Sequence, residues 1–158
     1  MNKKNFKTLE LDKILNKASD YAASDMAKQL ILALEPLNDY HEVSKELEYT
    51  TNAVEYITKN GTPNISNIPD ITLALKKSDL GSMLLPLDFL NILQVLQLTD
   101  YLKKHYSEAK RRNDESHINQ LIISLRGIDS LKNKIINCIQ SEDQIADTAS
   151  SNLASIRR

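Results

Sequence analysis

Leu84-Leu85-Pro86-Leu87-Asp88-Phe89-Leu90-Asn91-Ile92-Leu93-Gln94-Val95-Leu96-Gln97-Leu98 opens the stretch, running on to Arg112, whose reading decides the fold. Laid on a helix, it is apolar almost all the way round, interrupted only by Asp88, Asn91, Gln94 and Gln97. A helix greasy on several sides needs partners on several sides, so the pattern predicts the central rod of an all-α, multi-helix bundle. The second half turns charged at Lys103-Lys104-His105 and again at Lys110-Arg111-Arg112, so that end is expected to leave the core and meet water.

The rest of the chain supplies shorter amphipathic helices. Upstream, Leu11, Ile14, Leu15, Ala18 and Ala22 recur at helical spacing and predict a helix over about 8–21. Ser24 suits the N-cap of a second, with Ala27, Leu30, Ile31 and Leu34 as its face and Pro36 as its stop. Asp39 followed by Glu42 opens a third, over about 39–60, on which Val43, Leu47, Thr50, Val54 and Ile57 alternate steps of four and three. That alternation predicts a buried seam for an antiparallel partner, and the hub is expected to be Leu90, Leu93 and Leu96 with Val43, Leu47 and Val54 packed near them. Gly61 and Pro63 end the third helix, although Asn60-Gly61 could instead be a hairpin turn. A connector over 62–69, a short helix over 71–78 and a turn at Gly81 lead to Pro86, placed where a helix start tolerates a missing N–H.

Downstream, 111–116 reads as an exposed loop and 117–125 as a short helix ending at Gly127. Asp129 is placed to cap a further helix with Leu131, Ile135 and Ile139 on one face and Cys138 beside them. The polar run 142–150 has Ile145 as its buried candidate, and Ser150 or Ser151 caps a last helix carrying Leu153 and Ile156. That last helix, two turns long and without a C-cap, is expected to be cut short. The pattern gives no repeat, no strand and no second domain, so residues 1–158 are expected to form one helical domain.

Bulk properties exclude more than they select. Twenty Lys and Arg against 21 Asp and Glu give a formal net charge of −1, no mark of a dedicated nucleic-acid or membrane-surface protein. Cys138 is the single cysteine, and a small apolar residue facing a core is its ordinary reading, a reactive thiol the alternative. The start is positive but lacks the apolar run of a signal peptide, so the expected location is cytoplasmic, and the two glycosylation patterns at Asn60 and Asn64 are read as chance. Gly61, Gly81 and Gly127 lie too far apart for a phosphate-cradling loop. His41-Glu42 begins like a zinc-protease motif, but the position four after His41 is Lys45. No catalytic, cofactor or metal residue is therefore assigned. The one basic cluster, Lys103, Lys104, Lys110, Arg111 and Arg112, is the candidate nucleic-acid contact, with a solvated helix end as the plain alternative.

Two stretches carry a family resemblance. Near the start stand Leu9-Glu10-Leu11-Asp12-Lys13-Ile14, Tyr21-Ala22, Ser24, Ala27-Lys28 and Leu34-Glu35-Pro36. At the end stand Asp143-Gln144-Ile145-Ala146-Asp147-Thr148-Ala149-Ser150, Leu153 and Ile156-Arg157. Between them, Glu42, Leu47, Thr50, Ala53, Val54, Ile68, Asp70-Ile71, Ala74-Leu75, Leu84 and Pro86 fit the same pattern. In this order and spacing they resemble the N-terminal region of the second type of bacterial MutS protein, the MutS-II family. The chain departs from the family at Asp143-Gln144, where Asp-Gly is usual, and at Ser150-Ser151, where Ser-Pro is usual.

The resemblance implies that the chain is the front of the helical core, or lever, of such a protein. Lever arms, a clamp, an ATPase domain using ATP and magnesium, and a Smr endonuclease domain would lie beyond Arg158. It implies a full-length homodimer that binds branched DNA and suppresses recombination, or binds ribosomes and rRNA in the rescue of collided ribosomes. The mismatch-reading Phe-x-Glu of mismatch-repair relatives is missing, since Phe6 is followed by Lys7-Thr8 and Phe89 by Leu90-Asn91. The fragment itself is expected to be non-catalytic, without bound cofactor, off the membrane and compatible with a monomer. The alternative function is a helical adaptor that binds a partner protein or nucleic acid directly.

Overall fold

The computed structural model describes residues 8–110 and 117–157. Among them the fold is all-α: α1 (Leu11–Ser19), α2 (Asp25–Leu32), α3 (Tyr40–Asn60), α4 (Thr72–Asp79), α5 (Pro86–Lys110), α6 (His117–Ser124), α7 (Asp129–Cys138), a 3-10 turn (Asp147–Ala149) and α8 (Ser151–Ile156). Extended pairing among the described residues is limited to one antiparallel bridge, Ile139 to Ile145. The expected loop over 111–116 lies outside the described residues.

Local chemistry sets the helix ends. Ser24 accepts from the Ala27 N–H at 3.2 Å, Asp39 from the N–H groups of His41 and Glu42 at 2.9 and 3.0 Å, and Ser150 from that of Leu153 at 3.1 Å. Each takes up a donor that a helix start leaves orphaned. Gly61 follows α3 at φ 80°, a backbone favouring glycine, and its N–H returns to the Ile57 carbonyl at 2.9 Å. Pro86 is the first residue of α5, as the spacing predicts. Asp129 departs from expectation: it is the first residue of α7, makes no N-cap, and its carboxylate instead meets Lys132 Nζ at 3.0 Å.

The described residues divide into two units. The first comprises residues 8–68 together with 117–120. In it α1 packs on α2, and the Asn67 N–H closes on the Ala23 carbonyl at 3.2 Å. Tyr56 of α3, 1% exposed, is its most buried large side chain, and Tyr49 one heptad earlier stacks on His117 with ring centroids 3.7 Å apart and planes within 8°. The buried face of α3 is therefore the Tyr49–Tyr56 face. The expected Val43–Ile57 seam is half-buried only at Val43: Leu47 is 63% and Val54 60% exposed, and Thr50 and Ile57 are exposed as well. Leu30 and Leu34, predicted on the inward face of α2, also meet solvent.

The second unit comprises 69–110 and 121–157. Its centre is α5, half-buried along most of residues 88–95 and buried at Leu96 and Thr99, so the hub expected at Leu90, Leu93 and Leu96 is closed fully only at Leu96. The Thr99 hydroxyl donates to the Val95 carbonyl, which satisfies it inside the helix. Helix α7 packs on α5 and turns Ile135 inward, with Leu131, Cys138 and Ile139 half-buried on the same face. After the bridge the buried residue is Ala146, not Ile145, because the Ala146 N–H is drawn onto the Cys138 carbonyl at 2.8 Å. The 3-10 turn packs on α7 and α8, and Arg157 ties the last helix back through the Ile145 carbonyl at 3.1 Å and the Asp147 carboxylate at 2.6 Å.

Candidate basic surface and the α5–α7 brace

The basic cluster sits where α5 runs out of its apolar half. Lys103 is half-buried and Lys104 exposed, and Ser107 spends its hydroxyl on the Lys103 carbonyl at 3.0 Å. The apolar stems of such lysines cover helix surface while their ammonium groups reach water. Lys110 ends α5 two turns beyond Lys103, with its side chain outside what is described, and Arg111 and Arg112 lie outside the described residues altogether. Tyr101 and His105 lie beside each other on the same segment, ring centroids 6.2 Å apart. Of the five residues proposed to meet nucleic acid, the structure thus brings Lys103 and Lys104 together as neighbours on one helix.

Toward the core from that end, a charged brace joins α5 to α7. Lys132 Nζ donates to the Asp100 carboxylate across 32 residues and to Asp129 one turn away. The Asp100 bond chiefly, and Asp129 next, hold the Lys132 ammonium above the usual lysine range. Gly127 is fitted to this arrangement, since a methyl group there would stand 3.2 Å from Asp100 Oδ1. Sequence reasoning missed the brace. Its traces were the lone Asp100 at the end of an apolar run and the Asp129–Lys132 spacing of three.

Gly61 and Gly81 are separate turn residues at positive φ, Gly127 packs on a carboxylate, and no group of three His, Cys, Asp or Glu among the described residues could hold a metal ion. Cys138 is half-buried, its Sγ 4.0 Å from the Ala149 carbonyl. Among the described residues no helix is long and apolar enough to cross a membrane.

No protein-family model matches the chain. Curated relatives do, and over its whole length. It is 40% identical over 158 residues to the Endonuclease MutS2 of Ruminiclostridium cellulolyticum, covering 100% of this chain and 20% of that protein. It is 36% identical over 158 residues to the Endonuclease MutS2 of Lachnospira eligens, covering 100% of this chain and 19% of the relative. Against that of Acetivibrio thermocellus the identity is 37% over 159 residues, covering 100% and 20%. The chain spans about a fifth of the length of these relatives. The recognition drawn from the two ends of the sequence therefore holds: over its full length the chain matches MutS-II proteins, consistent with an N-terminal portion of one.

Proposed function

We propose that residues 1–158 serve as the non-catalytic N-terminal core, or lever, module of a MutS2-type protein, relaying movement between an ATPase part and a clamp. The end-to-end match to a fifth of proteins named Endonuclease MutS2 carries this reading. The Lys132 brace supports it, because a lever must keep α5 and α7 moving as one piece. In this reading the longer protein is a cytoplasmic homodimer that uses ATP and magnesium and cleaves nucleic acid with a separate domain. Its targets are branched DNA or the ribosome, and Lys103, Lys104, Lys110, Arg111 and Arg112 add phosphate contacts from this module.

The test is Lys132→Met in the full-length protein. ATP hydrolysis is expected to persist, while the change in DNA or ribosome affinity between nucleotide states shrinks. Loss of both together would remove the relay role. For the basic surface, charge reversal at Lys103 and Lys104 is expected to weaken binding uniformly across sequences and to flatten its salt dependence. Unchanged salt dependence would take that surface out of the reading.

A further inference from the structure

Of the chain's asparagines, Asn60 alone is followed by glycine. That neighbour governs the chemistry open to an asparagine side chain. The backbone nitrogen of the next residue can attack the carboxamide carbon, and a Cβ on that residue is the main obstacle to the approach. Gly61 carries no Cβ, and the space one would fill is open, with nothing beyond the chain neighbours within 4 Å. Gly61 and Thr62 are exposed and Asn60 is half-buried, so water reaches the group.

Against this reaction the fold sets one turn of helix. Asn60 is the last residue of α3, and the Gly61 N–H donates to the Ile57 carbonyl at 2.9 Å. While that bond holds, the attacking nitrogen is kept in the helical direction and its proton is engaged. The turn has little to hold it. Tyr56 is the buried side chain of α3, whereas Ile57, Thr58 and Lys59 beyond it are exposed. The Lys59–Glu55 pair, 3.8 Å apart between side chains more than half in water, adds little. Helix ends of this kind open at low cost.

We propose that Asn60–Gly61 is a self-modification site whose rate is set by opening of the last turn of α3. With the turn open, the Gly61 nitrogen gives its proton to solvent and bonds to the Asn60 carboxamide carbon, and ammonia leaves. The succinimide so formed takes up one water, which breaks one of its two C–N bonds. Breaking the side-chain bond leaves aspartate at position 60. Breaking the main-chain bond leaves isoaspartate, whose backbone runs through the former side chain and is longer by one carbon. Either product sets a carboxylate at the C-terminal end of α3, where the helix dipole disfavours negative charge. The turn therefore closes less well after the reaction than before it. The change is one-way, and it loosens the start of the connector whose Asn67 N–H meets the Ala23 carbonyl at 3.2 Å.

The experiment holds the full-length protein in mildly alkaline buffer, with and without urea, and follows the peptide containing residue 60 by mass spectrometry. Isoaspartate is read with isoaspartyl methyltransferase. Conversion is expected at Asn60 ahead of Asn64, which is exposed but followed by Ile65. Urea is expected to speed it about tenfold, the factor by which the closed turn shields the nitrogen. Thr58→Gly weakens the last turn, so it is expected to raise the native rate about fivefold and to change nothing in urea. Gly61→Ala is expected to slow conversion in urea, where no helix intervenes. No conversion at Asn60, or a rate no greater than at Asn64, would overturn the site. A native rate equal to that in urea, or one unmoved by Thr58→Gly, would overturn its control by α3.

Discussion

Ile135 and Ile136 are adjacent on α7, yet one is 3% and the other 51% exposed, so truncating each to alanine isolates burial from composition. Ile135→Ala removes three buried carbons, about 2.4 kcal/mol of transfer free energy at ~0.8 kcal/mol per methylene. A partly collapsed cavity between α7 and α5 adds to that, for a total of about 3 kcal/mol. Ile136→Ala gives up surface that is already half in water and gains a few tenths of a kcal/mol in helix propensity, so its net cost is about 0.5 kcal/mol or less. For a chain of this size each kcal/mol moves the melting temperature by roughly 2–4 °C, which puts Ile135→Ala about 6–12 °C below the parent. The chain has no tryptophan, so the measurement is urea and thermal unfolding followed by far-ultraviolet circular dichroism. Equal costs for the two substitutions, or a shift under 2 °C for Ile135→Ala, would refute the packing of α7 on α5 and with it the α5-centred unit.

Other consequences are as direct. Gly127→Ala is expected to cost about 1 kcal/mol, because the added methyl crowds Asp100 away from Lys132. In a Lys132→Met background that cost should shrink, which a double-mutant cycle reads. Asp88 is held below the usual carboxylate range chiefly by the Leu85 N–H with Lys77 assisting, and Asp70 by the hydroxyl and N–H of Thr72. Both are depressed in the folded chain, so their stabilisation is present above the ordinary carboxylate pKa and is lost as pH falls through the folded values. Asp88→Asn should therefore make the acid limb of the stability profile shallower. Lys132 runs the other way: raised in the folded chain, its contribution is present below the ordinary lysine value and fades as pH rises through the folded one, so Lys132→Met should flatten the alkaline limb. Ser150→Ala removes the cap of α8 at a cost of about 1 kcal/mol, seen as faster hydrogen exchange at the Leu153 amide.

The helix ends were legible because they are settled within a few residues. Ser24, Asp39, Gly61, Pro86 and Ser150 each act on backbone groups no more than four positions away, so reading along the chain finds them. The contacts that build the interior are of another kind. Lys132 reaches Asp100 across 32 residues, and His117 is brought onto Tyr49 from 68 positions further along. No local rule announces either one. The basic cluster was legible as composition only: Lys103, Lys104 and Lys110 share α5, the Lys110 side chain is not described, and Arg111 and Arg112 lie outside the described residues.

Helix α3 shows why the choice of buried face was missed. It carries two stripes, the aliphatic Val43–Ile57 line and the aromatic Tyr49–Tyr56 line, and periodicity detects both without ranking them. Hydropathy favours the aliphatic one. The chain buries the aromatic one, because Tyr56 removes a large area from water and His117 supplies a flat partner for Tyr49. A helix with two such faces is suited to sit between two layers. Periodicity reports burial in the whole polypeptide, whereas exposure here reports burial within 158 residues.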